Sequence, residues 1–260
     1  MIRLTREIRF SLVDREIDSP MTNSWGGWPS ATVLAPYLRL QCTVEGEPEA
    51  SVGYVCNVKD IDIAVRRVAL PTALDLYHRE GNSLKAERLC VALAEALRRE
   101  LPLPLARLEL VTTPTLRYAL DMEKPDMISM TQQFEFSAAH RLHCAELSDE
   151  ENRQQFGKCN NENGHGHNYR LDVTIAQPHD ESRERLSLID VEAIVKRQVV
   201  DRFDHKHLNE DTEEFRALNP TIENIAVIIW RLLADELAPA RLEVVRVYET
   251  PKTWAECRGG

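Results

Sequence analysis

The chain repeats itself. Residues 87–101 read ERLCVALAEALRREL and residues 223–237 read ENIAVIIWRLLADEL, with Glu, Leu or Ile, Val and a closing Glu-Leu in step without a gap. Each segment leads into a short apolar stretch, Arg107 to Val111 and Arg241 to Val245, and then into a Thr-Pro pair, Thr113-Pro114 and Thr250-Pro251. Upstream, GYVCNVKDIDIAV has the shape of LSLIDVEAIV, which sets Asn57 opposite Asp190, and IRFSLVDR has the shape of FEFSAAHR. The spacing stays at about 126–137 residues throughout. Four matches in one order predict a tandem duplication with domains at 1–121 and 130–260, joined by a charged, proline-containing linker from Met122 to Met130. A domain takes roughly 100–200 residues, so by length a chain of 260 holds one large domain or two small ones.

Composition narrows the class. Hydrophobic residues make up 43% and charged residues 28%, which excludes disordered, collagenous and disulfide-dense chains. No run approaches the roughly 20 apolar residues of a membrane span. The opening MIRLTREIRF lacks the apolar core of a secretory signal. Six cysteines at 42, 56, 90, 144, 159 and 257 show no close pairing and read as reduced thiols in a cytoplasmic protein. A net charge of −10 with no Lys/Arg block argues against nucleic-acid and membrane partners. An anionic substrate would need local cations. Of the eight histidines, all but His78 lie after residue 139.

In the second repeat, Phe134, Phe136 and Ala138 alternate with polar or small residues and predict a strand. Tyr169, Leu171, Val173 and Ile175 alternate with Arg170, Asp172 and Thr174 and predict a half-buried one. Asp190 is placed to cap a helix carrying Val191, Ile194, Val195 and Val199. A second helix starts near Thr221, with Ile225, Ile229, Leu232 and Leu233 at helical spacing, and a last strand covers Arg241 to Glu249. The order β-β-α-α-β predicts an α+β fold with an antiparallel sheet.

Period 2 puts His165 and His167 on the face of Tyr169 and Leu171, and His140 on the face of Phe136 and Ala138. Two strands then bring three inward imidazoles towards one point. Three neutral imidazoles suit Zn²⁺ and leave a fourth tetrahedral position open, as catalytic zinc requires. An isolated H-x-H arises by chance; the glycines of NGHGHNY and a third inward histidine set this one apart. Cys159 lies in a Gly/Asn-rich loop and reads three ways: a fourth ligand that closes the site, a base or nucleophile of lowered pKa, or a plain loop thiol. Asp204-His205 offers a carboxylate that can orient an imidazole for acid–base work, or an exposed polar turn.

The motifs FEFSAAHRLH, LSDEENRQQFGKCNNENGHGHNY, DHKHLN, PTIENIA and VRVYET resemble the 6-pyruvoyl tetrahydropterin synthase family over residues 132 to about 251. The resemblance implies His140, His165 and His167 as zinc ligands and Cys159 as the catalytic thiolate. It implies Asp204 and His205 as the rest of a relay supplied across a subunit interface, and Glu249 as the carboxylate pairing with pterin N–H donors. Thr221 and Glu223 fall where the family lines its pterin pocket. The implied fold is the tunnelling fold, an antiparallel sheet with two helices on one face. The implied reaction converts 7,8-dihydroneopterin triphosphate to 6-pyruvoyl tetrahydropterin with loss of triphosphate. Arg141, Lys158 and Lys206 lie near the motifs as candidate cations. Five residues separate Cys159 from His165; the related 6-carboxytetrahydropterin synthases of deazaguanine biosynthesis more often have three. That spacing favours the pyruvoyl enzyme.

The first repeat carries Asp14 where the second has His140, Thr112 at the place of Glu249, and no cysteine near the place of Cys159. Glu87 matches Glu223, and Asp75 and His78 are wrongly spaced for a relay. The expectation is a degenerate repeat that keeps the fold without the metal. Three such chains would make a homotrimer of six domains with three zincs. A pterin- or purine-binding module without turnover, and a metal-storage or scaffold protein, are the competing readings.

Overall fold

The computed structural model describes residues 1–13 and 25–259. Asp14 therefore lies outside the described residues. The chain forms two compact units, Met1–Met130 with Pro178–Glu181, and Thr131–Gln177 with Ser182–Gly260.

The first unit carries strands β1 (Ile2–Ser11), β2 (Tyr37–Gly46), β3 (Leu105–Thr113) and β4 (Leu116–Asp121), antiparallel in that order. Ile8 and Phe10 alternate with Glu7 and Arg9 along β1, and Leu38, Leu40, Cys42 and Val44 do the same along β2, so one sheet face is apolar. The helices supply the other half of the core. Helix α1 (Val58–Ala64) passes through a π-turn at Val65–Ala69 into α2 (Leu70–Glu80), and α3 (Ala86–Leu97) follows. Leu89, Leu93 and Leu97 recur at helical spacing and are buried, with α3 packed on β3 and β4. The expected linker is structured: Met122 N donates to Ala106 O and Met127 N to Lys124 O, closing a turn before the next strand begins at Met127.

In the second unit, β5 (Met127–His140) neighbours β6 (His165–Pro178), which pairs antiparallel with β8 (Arg241–Thr250), and β8 with β9 (Thr253–Cys257). The two-residue β7 (Lys206–His207) pairs parallel with the end of β5 through Ala138 and Ala139. Helix α4 (Asp149–Phe156) precedes β6 in sequence. Helix α5 (Leu188–Val195) runs through a π-turn at Lys196–Val200 into α6 (Asp201–Phe203); α7 (Leu208–Asp211) and α8 (Ile222–Leu233) follow. Helix α8 buries Ile225, Ile229 and Leu233 and packs on β8 and β9.

The two units share their irregularities. Helices α1 and α5 each run into a five-residue π-turn, eight residues past the cap Asn57 and nine past the cap Ser187. Register breaks between Thr43 and Val44 against β3, and between Thr174 and Ile175 against β8. It breaks again between Val111 and Thr113, and between Tyr248 and Thr250.

Several expectations need correction. The cap of α5 is Ser187, whose hydroxyl accepts from Asp190 N; Asp190 is the third helical residue and its carboxylate accepts from Ser187 N, closing a capping box. Asn57 thus lies opposite Ser187, three residues from the expected match. Asp172 is buried rather than outward, because Gln133 Nε2 donates to it at 2.7 Å. The strand ending near Glu249 is not the last, since β9 follows it. Among the described residues, no helix is long and apolar enough to cross a membrane, and all six cysteines are free.

Candidate metal centre

The site is built where three strands end. On β5, Phe136, Ala138 and His140 are buried in alternation, and His140 is fully enclosed. His165 and His167 open β6 while Gly166 and Asn168 between and beside them face outward. Glu249 follows Val245 and Val247 on β8 at the same period, which carries it onto the core face.

Four donor atoms converge there. His140 Nε2 lies 3.2 Å from His165 Nε2 and 3.5 Å from Glu249 Oε1, and His167 Nε2 lies 3.4 Å from Glu249 Oε1. All four fall within 4.8 Å of one another. Zinc bonds of about 2.0–2.1 Å put the corners of a tetrahedron about 3.3 Å apart, so this donor set fits the ion.

The protonation states favour a cation too. His140 Nδ1 donates to the carbonyl of Pro220 at 2.8 Å, which leaves Nε2 a lone pair aimed at a carboxylate oxygen. Burial pushes the His140 imidazole down to about 4, with His165, His167 and His207 acting the same way and the Pro220 carbonyl opposing. Burial also lowers His167, against the pull of Glu249. A lone pair facing a carboxylate repels unless a positive ion lies between them, and a proton is disfavoured here. His167 Nε2 and His165 Nδ1 are buried without a hydrogen bond.

The loop before β6 is threaded through a narrow place. Gly164 has φ +66°, and a Cβ there would meet His207 Nε2 at 2.6 Å and His140 O at 2.9 Å. His207 and Asn209 lie in the DHKHLN motif, but no sequence pattern marks either for a role of its own. The Asn209 side chain grips the residue after His140 twice, accepting from Arg141 N at 2.8 Å and donating to Arg141 O at 3.0 Å.

Cys159 sits half-buried on a 3₁₀ turn, Gly157–Asn160, whose carbonyl at Cys159 accepts from Leu142 N. Its thiol is raised, first by burial and then by the charge of Glu249, the opposite of the lowered value expected of a thiolate base. Asp204 accepts from Ser137 N at 2.8 Å and from His205 Nδ1 at 2.8 Å. The Ser137 N–H, and next the His205 bond, hold the Asp204 carboxyl below its usual range. His205 has φ 57° and its side chain is 83% exposed, on a groove lined by Ser137, Gly166, His167, Asn168 and Lys206. Among the described residues, neither member of the pair hydrogen-bonds Cys159.

The profile of the 6-pyruvoyl tetrahydropterin synthase family matches residues 129–260. The chain belongs to the 6-pyruvoyl tetrahydropterin synthase family. A 6-pyruvoyl tetrahydrobiopterin synthase of Drosophila melanogaster is 39% identical over 140 residues, 53% of this chain and 83% of that protein. The human protein of that name is 42% identical over 122 residues, 46% of this chain and 84% of its own. Uricase from Arthrobacter globiformis is similar in fold alone, at 9% identity and TM-score 0.50, covering 99% of this chain and 92% of that one.

Within this family member the remaining candidates divide. Thr221 caps α8, its hydroxyl accepting from Asn224 N at 3.3 Å, and Glu223 is exposed in the first turn, where a negative charge suits the helix dipole. Arg141 reaches His143 Nδ1 at 3.5 Å, and Lys206 lines the groove. In the first unit, Thr112 donates to Leu116 O, and Asp75 pairs with Arg79. Among the described residues, the three histidines and Glu249 are the group of donors close enough to hold an ion.

Proposed function

We propose that the chain is a zinc-dependent lyase converting 7,8-dihydroneopterin triphosphate to 6-pyruvoyl tetrahydropterin with elimination of triphosphate. One observation carries the reading: a three-histidine, one-carboxylate donor set with all four atoms within 4.8 Å of one another, in a chain of this family. His140, His165 and His167 hold the ion. Zinc, when bound, supplies Lewis-acid polarisation that acidifies neighbouring C–H and O–H bonds.

The protein's own groups do the rest. Glu249 pairs with pterin ring N–H donors and fixes the ring. Cys159, whose raised thiol must first give up its proton to a relay base, takes a side-chain proton as thiolate and returns it further along the chain. The exposed Asp204–His205 pair serves the cysteine of a neighbouring subunit, which explains why its imidazole faces solvent in its own chain. Thr221 and Glu223 line the pterin pocket, and Arg141, Lys158 and Lys206 offset the triphosphate charge against a chain of net charge −10.

The domain reading is a tunnelling-fold duplication, 1–121 without the metal site and 130–260 with it. The shared π-turns and register breaks support it. Three chains form a cytoplasmic homotrimer with three zincs; light scattering that finds a monomer, or six zincs per trimer, overturns that.

Incubation with 7,8-dihydroneopterin triphosphate, with metal analysis and product identification, tests the function. Formation of 6-pyruvoyl tetrahydropterin and triphosphate is expected. Release of acetaldehyde with a 6-carboxy product would assign the 6-carboxytetrahydropterin synthase reaction instead. Tight pterin binding without any product would make the chain a binding module.

A further inference from the structure

We infer that Glu249 holds two positions in turn: it completes the metal centre when no substrate is bound, and leaves it for the pterin when substrate arrives. The inference rests on the pterin reading above and adds a gate to it. The Glu249 oxygen lies 3.5 and 3.4 Å from the two nearest histidine nitrogens, as His140 and His165 nitrogens lie 3.2 Å from each other. Its Oε1 is one of four donor atoms that all lie within 4.8 Å of one another, so it stands among the ligand positions. A carboxylate there closes the position that catalytic zinc needs open.

The same carboxylate is free to move. Its side chain is 20% exposed, whereas His140 is fully enclosed. It sits in the register break of β8 against β9, between Tyr248 and Thr250, where the strand ladder holds the backbone least. Two adjacent ring N–H donors engage both carboxylate oxygens and so pull Oε1, the oxygen nearest the histidines, away from them. A ring that offers those donors therefore draws Glu249 off and opens the centre. A molecule without them leaves it closed. Recognition of the ring and readiness of the centre become one event, and Glu249 is a specificity-determining residue as well as an anchor.

The test uses the full chain loaded with Co²⁺, whose visible absorption reports its donor set. The probe is 7,8-dihydropterin without a side chain, which can reach Glu249 but supplies no side-chain oxygen. We expect the probe to change the wild-type spectrum and leave that of Glu249→Ala unchanged. Zinc affinity, by chelator competition, is expected to fall at least about tenfold in Glu249→Ala. Glu249→Gln, which keeps the shape, gives the same two readouts should the alanine variant fold poorly. A wild-type spectrum indifferent to the probe, an equal change in the variant, or undiminished zinc affinity overturns the gate. Turnover is measured separately. A spectral response without conversion of the triphosphate substrate overturns the proposed reaction and leaves the gate standing. Conversion without a spectral response does the reverse.

Discussion

His140 and Pro220 are joined by a 2.8 Å hydrogen bond in which the imidazole Nδ1–H donates to the backbone carbonyl. The bond fixes which nitrogen is free and where it points. Asn219, the residue before Pro220, is in turn held twice: Asn224 Nδ2 donates to Asn219 O at 2.8 Å, and Asn219 Oδ1 accepts from His143 N at 3.3 Å. The orientation of one ligand thus depends on the start of α8.

Asn224→Ala is expected to weaken zinc binding, by less than the roughly 10- to 100-fold that losing a ligand's direct outer partner costs, since Asn224 acts one bond further out. The stability cost is about 1 kcal/mol for one hydrogen bond. Chelator competition and denaturant unfolding separate the two. Undiminished affinity would mean that Pro220 stays in place without this side chain.

Gly164→Ala is expected to cost about 1–3 kcal/mol, because φ +66° disfavours any Cβ and this one meets His207 Nε2 at 2.6 Å. Trimming the neighbour with His207→Ala should relieve only part, since His140 O lies 2.9 Å from the same Cβ. A double-mutant cycle in thermal melts measures the relief. Full recovery would show that the carbonyl yields easily.

Cys159→Ala is expected to retain wild-type zinc content and lose about 10²–10⁴-fold in turnover, the range for one acid–base group. Loss of zinc would make the thiol a ligand. Retained turnover would remove it from the chemistry.

The metal-free protein should lose stability as pH falls from about 6.5 to about 4. The folded His140 imidazole is lowered to about 4, so over that window the unfolded chain binds a proton and the folded chain does not. The stabilisation is present above the unfolded value and lost below it, amounting to roughly 3 kcal/mol. Denaturant unfolding of wild type and His140→Ala across this range checks it, and the variant should show the flatter profile.

Much of this was legible in residue patterns. Period 2 placed His140, His165 and His167 inward, because strands alternate and their apolar neighbours mark the core face. The same rule puts Glu249 with Val245 and Val247, yet its meeting with the histidines depends on how β8 pairs with β6, and that register shifts between Thr174 and Ile175. No local pattern encodes such a bulge. Helix α4 was hidden because Asn152 is its one buried residue, so it shows no apolar stripe; only the Ser148 and Glu151 capping box marks it. Asn209 and His207 were hidden for another reason. Their partners are backbone atoms and a glycine far along the chain, and polar contacts of that kind have no period.

The burial gradient across the four donors sets a direction for exchange. His140 is sealed beneath the strand ends while the His167 and Glu249 side chains are 19% and 20% exposed. An ion therefore enters and departs on the side away from His140, where His165, His167 and Glu249 are all partly exposed, with His140 the last contact broken. Exchange has one door, and whatever occupies that door, a ring included, also decides how long the metal stays.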